Sequence, residues 1–148
     1  MQIYGYRFGK ILVTDDLIRL AENKQMLTGV FAHEMDHVRQ RHGLRMVFQN
    51  AGVFLVVSAL VGDVASITAS AAALPTMLVQ RGYSREFERQ ADAAAGKYLI
   101  QNRDNTRTYR RMLKRLSEKS AAEAAPSMMS THPAVKKRIS QLKQLEKK

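Results

Sequence analysis

The sequence predicts an α+β domain with a mainly helical body and a small β element at its N-terminus. Gln2–Phe8 and Lys10–Val13 are rich in Tyr, Ile, Val and Phe and flank Gly9, a pattern that favours a short hairpin or two edge-like strands. Most of the remaining chain shows the apolar spacing and capping residues of helices. Because 148 residues with 45% hydrophobic content suit one core, we assign residues 1–148 to a single domain.

Capping residues and apolar stripes define the expected helices. Thr14, Asp15 and Asp16 each offer a cap for the first helix, Asn23 and Ser84 can cap later ones, and Gly43 is a stop signal. Residues 120–130, which are rich in Ala, Ser and Pro, are expected to form a loop. The predicted helices are Leu17–Glu22, Lys24–His42, Arg85–Gln101, Thr106–Lys119 and Ala134–Lys147.

The segment Ala51–Val79 is nearly uncharged, and Asp63 is its only ionised side chain. Its most apolar part, Ala51–Gly62, is too short to cross a bilayer comfortably, and polar residues interrupt the rest. Two interpretations stay open here. The segment forms either a buried or loosely packed helical pair, or a surface that inserts into or faces a membrane.

Composition restricts the chemistry that the chain can perform. The absence of cysteine excludes disulfides and thiolate zinc sites, so any zinc must be bound by His, Asp or Glu. The formal charge of +11 suits nucleic acid, an anionic membrane surface or an acidic partner. Because no nucleic-acid recognition motif accompanies the charge, we expect solvated basic helix faces and do not expect nucleic acid as a partner.

The most informative motif is His33-Glu34-Met35-Asp36-His37, within the long predicted helix. Residues four apart on a helix differ in direction by about 40°, so the two imidazoles face one point and can bind one metal ion. Glu34 lies about 100° from His33, where its carboxylate can reach a water on that metal. The motif therefore predicts zinc chemistry in which a carboxylate removes a proton from an attacking water.

A catalytic zinc site needs a third protein ligand. Glu88 and Asp92 are four residues apart and share one helix face. One of them could bind zinc while the other orients a histidine through its free ring nitrogen. The alternative is a solvated helix face on which both carboxylates pair with Arg85 and Arg89.

Three ordered blocks extend this pattern over about residues 5–142. Together they resemble the HtpX, CAAX-prenyl-protease and BepA-like family of gluzincin zinc metallopeptidases. The blocks are Gly29–Val38 continuing to Arg41-His42-Gly43, then Tyr83-Ser84-Arg85-x-x-Glu88-x-x-Ala91-Asp92, and finally Ser130-Thr131-His132-Pro133 followed by Arg138-Ile139.

The resemblance implies a zincin-like metalloendopeptidase domain that binds one Zn²⁺ per chain. It implies His33, His37 and Glu88 as metal ligands and Glu34 as general base. Asp92 would orient a ligand histidine, and we take that histidine to be His33.

The resemblance also places His132 near the metal, where it would stabilise the oxyanion or cap zinc in a resting state. The alternative is a histidine packed before a turn proline. His42 fits the family pattern as a helix-end residue, and we assign it no chemistry.

The resemblance further implies a protein or peptide substrate bound in extended form along a strand near Ile3–Phe8. Unfolded or misassembled membrane or envelope proteins are the expected substrates, with an anionic membrane surface as a second candidate partner. Met1–Val13 lacks the pattern of a signal peptide, and the family's N-terminal anchor has no counterpart in the sequence. Cellular location therefore stays open, although the resemblance favours membrane or cell-envelope association.

Asp36 stands where the family usually has a small residue, which puts catalytic efficiency in question. This departure motivates a second hypothesis. In it the chain is a latent or inactive metallopeptidase-like module that binds zinc and contacts partners in quality control.

Overall fold

The computed structural model describes residues 4–5, 11–61, 84–123, 132 and 134–147. Within this part of the chain, two short strands precede six helices. The strands are β1 (Tyr4–Gly5) and β2 (Ile11–Leu12), and the helices are α1 (Asp15–Leu20), α2 (Lys24–Arg39), α3 (His42–Val61), α4 (Arg85–Gln101), α5 (Thr106–Glu123) and α6 (Val135–Leu145).

The β element consists of one antiparallel pairing, with Tyr4 opposite Leu12 and Gly5 opposite Ile11. The predicted mainly helical body is therefore confirmed, and the β part of the described chain is limited to two residues per strand. Ile3 and residues 6–8, which belong to the expected substrate-binding strand, lie outside the described residues.

Three helices begin at the capping residues that the sequence predicted. The Thr14 hydroxyl accepts a hydrogen bond from the Leu17 amide, and the Asn23 side chain accepts one from Met26. The Ser84 hydroxyl accepts one from the Phe87 amide at 3.2 Å. Each cap satisfies an amide that the helix itself leaves unpaired.

The predicted end of the long helix at Gly43 is wrong. Helix α2 ends at Arg39, Arg41 adopts a left-handed conformation with φ of 53°, and His42 already begins α3. The change of direction thus occurs at a non-glycine residue, which sequence rules rarely predict because positive φ is uncommon there.

Helix α5 also extends past its predicted end at Lys119, through Glu123. The loop expected from residue 120 is therefore wrong over its first residues. Ala121 and Ala122 are strong helix formers, which accounts for the continuation. Residues 124–130 lie outside the described part.

A single apolar cluster holds α1, α2, α4, α5 and α6 together. Helices α2 and α5 pack closely, since a Cβ built on Gly29 would lie 2.6 Å from Cβ and Cγ of Tyr109. This contact brings the Tyr109 ring against the helix that carries the His-Glu motif. The buried members of the cluster are Leu17, Met26, Val30, Ala95, Leu99, Tyr109, Met112, Leu113, Leu116 and Leu142.

The apolar segment expected at Ala51–Val79 forms the second half of α3 as far as Val61, and residues 62–79 lie outside the described part. Among the helices that the structure describes, none combines the length and hydrophobicity that a bilayer-crossing segment requires. On α3, Phe48 and Val56 are exposed.

Candidate metal centre

The motif on α2 turns its two histidines and the glutamate between them into the protein interior. His33, Glu34 and His37 are all buried, with at most 2% of each residue exposed. The two Nε2 atoms lie 3.0 Å apart, as expected for residues one helical turn apart. Met35, by contrast, is exposed.

Glu88 on α4 and His132 complete a group of four donors. The Glu88 carboxylate lies 3.2 Å from Nε2 of His37 and 3.6 Å from Nε2 of His33. Nδ1 of His132 is 2.8 Å from the same carboxylate and 3.3 Å from Nε2 of His33. Glu88 is therefore not part of a solvated helix face, and His132 contacts the other donors instead of only packing before a turn.

The spacing of these donors fits a tetrahedral ion. Zinc with bonds of about 2.05 Å places neighbouring ligand atoms about 3.3 Å apart. The five donor separations given above run from 2.8 to 3.6 Å. One ligand atom from each of His33, His37, Glu88 and His132 lies within 4.8 Å of all the others. These residues are thus able to hold one metal ion.

The Glu34 carboxylate supports the same fit. Both of its oxygens are buried, and neither has a hydrogen-bond partner among the described residues. Nε2 of His132 lies 3.5 Å from one of these oxygens. A buried carboxylate without a hydrogen-bond partner is costly, so this position suits a group that works on water activated by a metal.

Asp92 lies behind His33. Its carboxylate is 3.0 Å from Nδ1 of His33 and also accepts hydrogen bonds from the Tyr109 hydroxyl at 2.8 Å and Arg138 Nε at 2.7 Å. Burial alone raises the pKa of Asp92, but the hydrogen bonds from Arg138 and His33 outweigh burial and hold the pKa below its usual range. An ionised Asp92 accepts the Nδ1 proton of His33 and leaves its Nε2 lone pair for a metal.

Arg138, which the sequence analysis placed in the third block of the resemblance without a role, is a principal residue of the site. Its side chain is buried, with 2% of the residue exposed, and its guanidinium contacts the Glu88 carboxylate at 2.8 Å in addition to the Asp92 carboxylate. The available signal was its place on α6, one turn before Leu142 on the buried side of the helix. Tyr109, to which the sequence analysis gave no role, likewise donates a hydrogen bond to the site through its hydroxyl.

The formal charges of the centre also favour a divalent cation. The formal charges of Glu34, Glu88 and Asp92 sum to −3 and that of Arg138 is +1, which leaves −2 with all histidines neutral and −1 with His132 protonated. A buried excess of negative charge is unfavourable, and a doubly charged metal ion neutralises it.

Burial lowers the pKa of both histidines on α2, and that of His37 falls to about 4. Both imidazoles are therefore neutral near pH 7, which metal binding requires. His132 differs. Burial opposes its protonation, but the charges of Glu88 and Glu34 outweigh burial and raise its pKa.

Asp36, the residue that departs from the family pattern, stays outside the donor group. It is 4% exposed and accepts hydrogen bonds from the Arg39 guanidinium at 2.8 and 3.2 Å. The Arg39 guanidinium is therefore a charged partner for the Asp36 carboxylate.

The helical fold and the buried His/Glu group are those of a metal-binding domain of the metallopeptidase class. The chain belongs to Peptidase family M48, whose family model matches residues 3–146. Members of this family depend on zinc. No curated protein matches the chain. The narrower HtpX, CAAX-prenyl-protease and BepA-like branch stays a prediction.

Proposed function

We propose that the chain is a zinc endopeptidase that binds one Zn²⁺ through His33, His37 and Glu88. The observation that carries this proposal is the meeting of buried donors at tetrahedral spacing beside a Glu34 carboxylate that has no hydrogen-bond partner among the described residues. Membership of Peptidase family M48 supports the same reaction class.

Each residue has a defined task in peptide hydrolysis. When bound, zinc supplies a Lewis acid that activates water near neutral pH. Glu34 takes the proton of the attacking water and passes it to the leaving amine nitrogen. Asp92 keeps His33 in the tautomer whose Nε2 binds metal, and Arg138 holds the Glu88 carboxylate in place.

We assign His132 the role of a cap on the fourth metal position. Its Nδ1 belongs to the donor group, whereas a catalytic zinc site needs one position that is open to water. His132 is also the one donor of the four that lies outside the described helices. Withdrawal of this side chain would open the site for reaction.

The proposed substrates are unfolded or misassembled proteins of the membrane or cell envelope, bound in extended form near Ile3–Phe8. Strand addition recognises backbone and tolerates varied sequences, which suits such substrates. Resemblance to the HtpX, CAAX-prenyl-protease and BepA-like branch supports this substrate class and a membrane or envelope location. The charge of +11 supports an anionic membrane surface as an additional partner.

The decisive variant is Glu34→Gln, assayed on unfolded casein with zinc-loaded protein. It should lose activity by at least about 100-fold, as removal of a general base does, while still binding about one zinc per chain. The matched control Glu118→Gln makes the same change at an exposed position and should cleave like wild type. Casein cleavage by Glu34→Gln at the wild-type rate would refute the general-base assignment.

The second candidate is a latent zinc-binding module for quality control or partner binding. The closed group of four donors favours it, because structural zinc sites are closed. It predicts stoichiometric zinc without turnover of unfolded casein, both in wild type and in His132→Ala. Turnover by either protein that stops with a chelator would exclude this candidate.

A further inference from the structure

A chain of hydrogen bonds leads from the surface of α4 to the metal ligand His37. It begins at Glu86, which is exposed, and passes through Gln90 and His42. Each link has a donor and an acceptor that can be assigned from the chemistry of its neighbours.

The first link fixes the Gln90 amide. Its Nε2 lies 2.9 Å from Oε1 of Glu86, a carboxylate oxygen that can only accept. The amide nitrogen therefore faces Glu86, and the amide oxygen faces His42, where the separation from Nε2 is 3.2 Å.

The second link fixes the tautomer of His42. Because an amide oxygen accepts, Nε2 of His42 carries the proton. In a neutral imidazole the other nitrogen then presents a lone pair. That nitrogen, Nδ1, lies 3.0 Å from Nδ1 of His37.

The third link acts on the metal ligand. His37 donates its Nδ1 proton to His42, so Nε2 of His37 presents its lone pair to the donor group. The His42 ring is held in position by stacking on Phe87, with centroids 4.3 Å apart and planes 9° from parallel. A ring so held restricts rotation of the His37 imidazole.

We propose that His42 is a positioning residue that holds His37 in the orientation and tautomer required for metal binding. This inference rests on the proposed metal site. His33 has the Asp92 carboxylate in the corresponding place, whereas His37 has a neutral imidazole. The neutral His42 ring adds no negative charge to a centre that already has three carboxylates and one guanidinium.

The turn after α2 makes this contact geometrically available. On a continuous helix, residues five apart differ in direction by about 140°, so His42 would point away from His37. The left-handed Arg41 ends that periodicity and brings His42 back against its neighbour. The function of His42 therefore depends on the early end of α2.

A pair of substitutions separates hydrogen bonding from packing. His42→Leu removes the acceptor, and His42→Asn keeps an oxygen near the Nδ1 position while also losing the stacked ring. Zinc affinity of the full chain is measured by competition with a chelator. His42→Leu should weaken zinc binding by about 10–100-fold, the usual effect of losing such a support, and His42→Asn should recover most of it.

A spectroscopic measurement tests the assigned tautomer directly. In zinc-loaded wild type, ¹⁵N NMR of His42 should show the proton on Nε2. Gln90→Leu keeps both imidazoles and should remove the preference of the His42 proton for Nε2. This variant also keeps the test available if His42→Leu fails to fold. The exposed control Gln49→Leu should leave the preference unchanged.

A His42 proton on Nδ1 in wild type, or equal zinc affinity in His42→Leu and wild type, would overturn the inference. These measurements need no peptidase activity. If wild type binds zinc but cleaves nothing, the peptidase proposal fails and the His42 assignment is judged on its own results. If wild type binds no zinc, both proposals fail.

Discussion

Glu34 and His132 face each other across the candidate metal centre, and their chemistry is opposed. Glu34 has the position of a base that needs access to water, whereas His132 Nδ1 lies among the metal donors. A residue that occupies the fourth metal position reduces the access of water to the metal. In the proposed function, one side chain therefore decides the balance between a resting and an active centre.

His132→Ala should raise the rate of casein cleavage while leaving about one zinc per chain, because three protein ligands remain. The measurement is initial rate at saturating zinc, accompanied by metal analysis. The double variant Glu34→Gln/His132→Ala should be inactive, which would show that the increase uses the same base. A lower rate with zinc still bound would instead support the alternative role of His132 in stabilising the oxyanion.

At the scale of elements, the contact between α2 and α5 joins the core to the metal centre. Gly29 allows the two helices to approach, and Tyr109 on α5 donates a hydrogen bond to Asp92. Asp92 in turn contacts His33, so helix packing and ligand orientation depend on each other.

Gly29→Ala should destabilise the protein by about 1–3 kcal/mol, because the added methyl meets the rigid root of the Tyr109 side chain. It should also weaken zinc binding, since Tyr109 must shift away from Asp92. The control is Gly52→Ala on α3, where nothing lies within 4 Å of the added carbon. That control should be neutral or stabilise by about 0.5–1 kcal/mol, the usual helix preference of Ala over Gly. Denaturant unfolding measures both, and equal stability of the two variants would contradict the packing argument.

The junction of α5 and α6 provides a pH-dependent contribution to stability. Glu146 accepts hydrogen bonds from the amide and hydroxyl of Thr106, at 2.6 and 2.7 Å, and contacts Arg110 at 2.9 Å. Burial alone raises the pKa of Glu146, but the hydrogen bonds from Thr106 outweigh burial and lower the pKa.

Because the folded-state pKa of Glu146 is lowered, its stabilisation is fully present above the ordinary value of 4.5 and is lost as the pH falls through the lowered value. Glu146→Gln should therefore cost about 0.5–1 kcal/mol at pH 7, reduced by solvent screening, and progressively less in acid. Urea unfolding at several pH values measures the difference. A cost that stayed constant with pH would show that the carboxylate charge contributes nothing.

At the scale of the whole molecule, zinc should act as a stabiliser of the fold. Two ligands lie on α2, one lies on α4, and His132 comes from the segment before α6, so one ion connects distant parts of the chain. Binding to the folded state alone stabilises it by about 2.7 kcal/mol at 100 times the dissociation constant.

Removal of zinc by a chelator should lower Tm by about 5–10 °C, which is that free energy converted for a chain of this size. Glu88→Ala should reduce the chelator effect by removing a ligand. Glu118→Ala, a control that makes the same change at an exposed position on α5, should retain it. Thermal unfolding with and without zinc measures each protein, and an unchanged Tm in wild type would contradict the proposed role of the centre.

Local signals in the sequence predicted much of the fold. Thr14, Asn23 and Ser84 act within a few residues, so the helices they cap could be predicted from neighbouring side chains alone. The turn at Arg41 could not be predicted in this way, because a positive φ is usually signalled by a glycine and this position has an arginine. Because the predicted helix continued through His42, the contact between His42 and His37 could not be predicted either.

The sequence by itself determined that His33, Glu34 and His37 share one region of a helix, because four-residue spacing alone fixes their relative direction. It left Glu88 and Asp92 dependent on a family resemblance, since nothing local tells a buried carboxylate pair from a solvated one. Only the tertiary structure decided that His132 and Arg138 meet them in the interior. Those contacts come from packing between helices far apart in sequence, and the charge and burial that define the metal centre exist only once these helices are assembled.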